Sequence, residues 1–167
     1  MKDMTTKINE WMQSFVEVPN PKLGNFAPCP FARAARINNK IKIIKSNAND
    51  LYTDTNNCLS DLDSMEVVVI YFDHEQIDVV TLQETVGYLN KKLMPLDYVV
   101  LEDHPNGPEY VNGVKMNFGH CGLLIVQRLD QLNQAADKLR SQGYYDSWDQ
   151  ASLDSVVSWR YIHDEVR

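Results

Sequence analysis

The stretch from Glu66 to Phe72, "EVVVIYF", decides the fold. After Glu66 it is an unbroken run of apolar and aromatic residues, rich in β-branched valine and isoleucine. In a strand, successive side chains point to opposite faces, so such a run is apolar on both faces. That is the pattern of a central strand in a sheet covered on both sides.

Upstream, "IKII" at 41–44 reads as a second strand. Between the two, residues 50–61 read as a helix opened by Asp50, a favoured N-cap. Downstream, Thr81-Leu82-Gln83-Glu84 has the form of a capping box, and Leu82, Val86, Leu89 and Leu93 follow on one helical stripe that Pro95 ends. "DYVVLE" (97–102) is a third strand. Residues 105–119, rich in Gly, Pro and Asn, form a long loop with a short strand near Val114 to Met116. "LLIVQR" (123–128) is a fourth strand. Leu132, Ala135, Ala136 and Leu139 mark a helix with Gly143 as its C-cap, and a last helix runs from about Ser152 to Asp164.

At the other end, Ile8, Trp11, Met12 and Phe15 give an amphipathic helix over 6–16. "EVPNPKLGNFAP" breaks it, and a short helix begins at Pro30 with Cys29 in the cap position. Alternating helices and strands predict an α/β (or α+β) protein, a single domain over 1–167. Its sheet has four to five strands, mainly parallel, with helices packed on it. The last strand follows a loop with no helix and should run antiparallel to the third. A ferredoxin-like arrangement is the alternative.

The 167 residues are 44% hydrophobic and carry a net charge of -7. The acidic balance argues against nucleic acid and anionic membrane surfaces as partners. No run has the length of a membrane span, and the N-terminus lacks the apolar core of a signal peptide. These features predict a soluble, cytoplasmic protein. Three cysteines, an odd and low number, point to reduced thiols rather than a disulfide framework.

Ligands favour the carboxyl ends of parallel strands. There the sequence places Asp73-His74-Glu75, Glu102-Asp103-His104 and, before the antiparallel strand, Gly119-His120-Cys121-Gly122. The Cys29 helix reaches the first strand through Asn38 to Lys40, so its start should lie near the same edge. Two chemistries follow. Cys29, Asp103, His104, His120 and Cys121 could ligate zinc or iron. Alternatively, Cys29 is a thiolate lowered by a helix N-terminus and Arg33, with His104 or His120 as base. Arg33 and Arg36 would then hold an anionic small-molecule substrate.

The sequence leans towards an enzyme. The competing reading is a non-catalytic binding or regulatory protein. In it Cys29 caps a backbone N–H, His104 anchors a loop, the glycines make a tight turn, and the aromatics of "GYYDSWDQ" (143–150) form an interaction patch. His74 and His163 read as surface residues and Cys58 as core.

Trp11 on the first helix, then Cys29-Pro30-Phe31-Ala32, then His104-Pro105, resemble an uncharacterised bacterial family. Its members share an N-terminal Trp helix, a Leu-Cys-Pro-Phe-Ala segment and a His-Pro step. Pro28 stands where that family has Leu. The resemblance covers about two thirds of the chain in layout and implies no activity. Cys29-Pro30-Phe31-Ala32 is also similar, over fewer than ten residues, to the helix start of some glutathione transferases. That likeness implies a cysteine that bonds glutathione at a helix N-terminus.

Overall fold

The computed structural model describes residues 2–161. Helix α1 (Met4–Trp11) is capped by the Asp3 carboxylate on the Thr6 N–H and continues as a π-helical turn over Met12–Val16. Then come α2 (Ala32–Ile37), β1 (Ile41–Lys45), α3 (Leu51–Cys58), β2 (Val67–Phe72), α4 (Val79–Leu93) and β3 (Tyr98–Asp103). A short hairpin, β4 (Tyr110–Val111) and β5 (Val114–Lys115), precedes β6 (Gly122–Arg128), α5 (Leu129–Ser141) and α6 (Gln150–Leu153). A second π-helical turn, Asp154–Ser158, continues α6. The end of the expected last helix, and His163, lie outside the described residues.

The main sheet has the order β1-β2-β6-β3. β1 and β2 are parallel, and β6 is antiparallel to both β2 and β3. The first three strands therefore run the same way, as their alternation with helices requires, but the sheet is not mainly parallel. The α4 crossover carries β3 two positions from β2, and β6 fills the gap. The β2-α4-β3 unit split by β6 also occurs in ferredoxin-like sheets. The parallel β1–β2 pair departs from their strict alternation.

Two apolar layers cover the sheet, as the run in β2 demands. Val68, Ile70 and Phe72 pack with Leu82, Val86, Leu89 and Leu93 of α4. On the other face Val69 and Leu123 meet Ile8 of α1 and Met12 of the π-helical turn after it, and Val99 meets Leu129 of α5. Leu23, Val111, Leu139, Tyr144, Trp148 and Val157 form a further cluster on the side of the C-terminal segment.

Three local details differ from the sequence reading or refine it. The cap of α4 is Asp78, whose carboxylate accepts from the Thr81 N–H; the helix starts before the Thr81 box. Asp50 caps α3 on the Thr53 N–H, as expected. Gly143 has φ 84° just past α5, and the Tyr144 N–H returns to the Leu139 carbonyl, the left-handed helix stop its position predicts.

Candidate functional site

The carboxyl edge of the sheet does gather β2, β3 and the start of β6: Phe72 sits opposite Gly122 and Asp103 opposite Leu123. What stands there is a structural network. His104, 3% exposed, accepts the Asn106 N–H on Nδ1 at 3.0 Å. That nitrogen therefore carries no proton, and Nε2–H donates to the carbonyls of Ile77 (2.8 Å) and His74 (3.1 Å). Both ring nitrogens are used, so His104 has no lone pair for a metal or a substrate proton. Its ring meets that of His74 edge-on.

Asp103 is likewise engaged. One carboxylate oxygen accepts from Asn117 Nδ2 and the other from the Phe118 N–H, both at 3.0 Å. Burial pushes its carboxyl up despite these bonds. Asn117 also donates to the carbonyls of His104 and Gly107, and so pins the loop before β6 to the end of β3.

His120 is exposed and lies against the Phe118 ring. Cys121 is buried, its thiol pushed up to about 11 by burial first and Asp103 next. Cys58 is core, as expected, and donates to the Thr55 carbonyl. The two glycines have structural reasons, one in the backbone and one in packing: Gly119 has φ 88°, and a Cβ on Gly122 would run into the Phe72 ring. Among the described residues no group of three or more His, Cys, Asp or Glu could hold a metal ion. The expected set of Cys29, Asp103, His104, His120 and Cys121 for zinc or iron does not form.

Cys29 stands elsewhere. Its N–H donates to the Val16 carbonyl, and the Tyr144 hydroxyl donates to the neighbouring Pro28 carbonyl at 2.6 Å. The helix starts later than the sequence suggests, at Ala32 with Phe31 as cap, so Cys29 is not the cap residue. Its thiol is open to solvent yet set in a concavity among protein atoms. Those surroundings push its pKa up. The N–H groups of Phe31 and Ala32 oppose the rise, and Glu17 adds to it.

Arg33 is exposed. Arg36 is committed to Glu17 by two parallel bonds, from Nε at 2.7 Å and from an Nη at 2.8 Å, which also holds its pKa up. Arg36 therefore ties α2 to the end of the π-helical turn after α1 and is not an open anion site. Cys29 should alkylate with iodoacetamide at pH 7.5 more slowly than a free cysteine peptide. The rise of its rate with pH should be displaced upward in pH from that of the peptide. Mass-resolved rates across pH check this, and a fast, pH-flat reaction near neutrality would contradict it.

The concavity at Cys29 is part of a mainly apolar cavity of about 770 Å³. It lies mainly against the sheet face carrying Val67, Val69, Leu123 and Ile125, and reaches Val86, Asn90 and Val100 where β3 forms the sheet edge. Its other walls come from α1, from Phe31 and Ala35 of the α2 segment, from Leu132 and Ala136 of α5, and from the aromatic turn Tyr144, Tyr145 and Trp148. Two of the aromatics of that turn are not on the surface: Tyr144 is 3% and Trp148 9% exposed, their rings pack on one another, and Tyr144 meets Phe26 edge-on.

Three polar side chains on this cavity matter: Arg160, absent from the sequence reading, and Trp148 and Glu102, which that reading places in an aromatic patch and at a strand end. Arg160 is 4% exposed. It donates through Nε to the Val157 carbonyl at 3.4 Å and bonds the Tyr145 hydroxyl. No carboxylate pairs with it among the described residues. Trp148 Nε1–H and Glu102 Oε2 are buried with no hydrogen-bond partner among the described residues. Glu102 and Glu109 also line a smaller recess of about 260 Å³ beside His104 and Asn117. Burial, and to a lesser degree neighbouring carboxylates, push both carboxyls up.

Compared with known protein families, curated proteins and solved structures, the chain finds no match in any of the three. Among the described residues, no helix is long and apolar enough to cross a membrane.

Proposed function

We propose that the protein binds a small, mainly apolar molecule in the cavity between the sheet and α1, α2 and α5, without transforming it. The cavity itself carries this reading. Its volume of about 770 Å³ lies within the roughly 300–1,000 Å³ of small-molecule sites. Protein interiors are normally packed as densely as organic crystals, and an apolar space of this size offers dispersion contacts along its wall to a ligand of matching shape. The groups that would make the site catalytic are engaged elsewhere: His104 and Asp103 hold a loop, and Arg36 holds Glu17.

A neutral dye that fluoresces in apolar surroundings, N-phenyl-1-naphthylamine, tests it. The folded protein should bind one equivalent saturably, at micromolar concentrations. Ala135→Phe and Ala32→Phe each fill part of the cavity from a half-buried position. Each should weaken dye binding at least tenfold while the circular dichroism spectrum is kept. No saturable signal in the wild type, or equal binding in both filled variants, would sink the reading.

A further inference from the structure

Buried charges in proteins are paired, because an unpaired one loses its hydration without compensation. Arg160 breaks that pattern. It carries five N–H donors in a fixed fork, it is 4% exposed, and its described partners are a carbonyl at 3.4 Å and a tyrosine hydroxyl. Trp148 adds an orphan donor: its ring is 9% exposed and its Nε1–H has no partner among the described residues. Tyr145 links the two, stacking edge-on with Trp148 at 5.0 Å between centroids while its hydroxyl accepts from Arg160. Arg140 lies over the rings of Tyr145 and Tyr161, so a second guanidinium stands beside the first. Arg160 and the Trp148 N–H are both donors, and Arg160 is positively charged; the orphan acceptor on the same cavity, Glu102 Oε2, belongs to β3.

We propose that the ligand of this cavity is an amphipathic monocarboxylate, its carboxylate held by Arg160 and the Trp148 N–H and its apolar body laid along the sheet. This inference rests on the cavity being a binding site and names the class of molecule it takes. A carboxylate has the planar pair of acceptor oxygens that a guanidinium fork grips bidentately, with lone pairs left for an indole N–H. Arg160, Tyr145 and Trp148 all line the same space as Val69, Ile125 and Leu132, so head and body would be accommodated together. Burial also holds the Arg160 pKa below its usual value, the direction expected of a guanidinium without an anion.

The test compares a fluorescent fatty acid, 11-(dansylamino)undecanoic acid, with its methyl ester. The wild type should bind the acid at least tenfold more tightly than the ester. Arg160→Gln should abolish that preference, the acid losing far more affinity than the ester, and Arg160→Lys should keep part of it. Equal binding of acid and ester by the wild type would overturn the carboxylate assignment while leaving the cavity reading intact. That comparison needs no variant to fold. A preference that survives in Arg160→Gln would also overturn it. Binding of neither probe, with N-phenyl-1-naphthylamine silent as well, would remove the cavity reading and this inference together.

Discussion

Replacing Asn90 by leucine should lower the stability of the protein by about 2–4 kcal/mol, although leucine matches asparagine in size and suits a helix better. Asn90 lies on the buried stripe of α4, 8% exposed. Its Nδ2 donates to the Val100 carbonyl at 2.9 Å, and its Oδ1 accepts the Val100 N–H at 2.8 Å. Val100 is on β3, which pairs with β6 on one side only. The carboxamide thus does for the open edge what a further strand would do, and it protects that edge from pairing with another chain. Leucine would leave a buried donor and a buried acceptor without partners, each costing about 1–3 kcal/mol. The midpoint of thermal unfolding should fall by roughly 5–15 °C. Asn90→Asp, which keeps one acceptor and adds a buried charge, should be no better. A change under 1 °C for Asn90→Leu would show that water satisfies Val100 instead.

The second large effect is expected at Gly122. It begins β6 directly opposite Phe72, whose ring occupies the place of a Cβ. Phe72 is itself 1% exposed and packed against α4, so the ring cannot swing away. Gly122→Ala should cost about 1–3 kcal/mol by overpacking. Phe72→Leu makes room, so in that background Gly122→Ala should cost much less than it does alone. Chemical denaturation of the two single variants and the double variant measures this coupling. Strict additivity would mean that Gly122 is needed for something other than the ring.

The helices and strands are written locally, and each was readable where its pattern was strong. The apolar run in β2, the stripe of α4 and the glycine after α5 all sit where their chemistry places them. The position of β6 between β2 and β3 was not readable, because pairing joins residues far apart and leaves no mark within either strand. The convergence of three strand ends at one edge followed from direction alone and was legible. The hydrogen bonds that engage His104 at that edge were not, because they depend on which carbonyls its ring reaches.

Cys29 was misplaced by the proline beside it: Pro30 suits a first helical turn, yet the chain makes one further turn before Ala32. The cavity's polar groups left a fainter trace. Asn90 interrupts the apolar stripe of α4 between Val86 and Leu93, and Arg160 lies one turn beyond Val156 and Val157 on the inward side of the last helix. A polar residue on an apolar stripe signals a buried polar task, and both sites carry one.

Binding within the cavity is tested most directly by methyl-labelled nuclear magnetic resonance during titration with N-phenyl-1-naphthylamine. Saturable shifts, and cross-peaks to the dye, are expected at the methyls of Val69, Leu123, Ile125 and Leu132, which line the cavity. Val68, Ile70 and Leu89, packed in the core on the opposite face of the sheet, should stay still. Shifts spread over both faces, or none that saturate, would contradict a ligand held between the sheet and α1, α2 and α5.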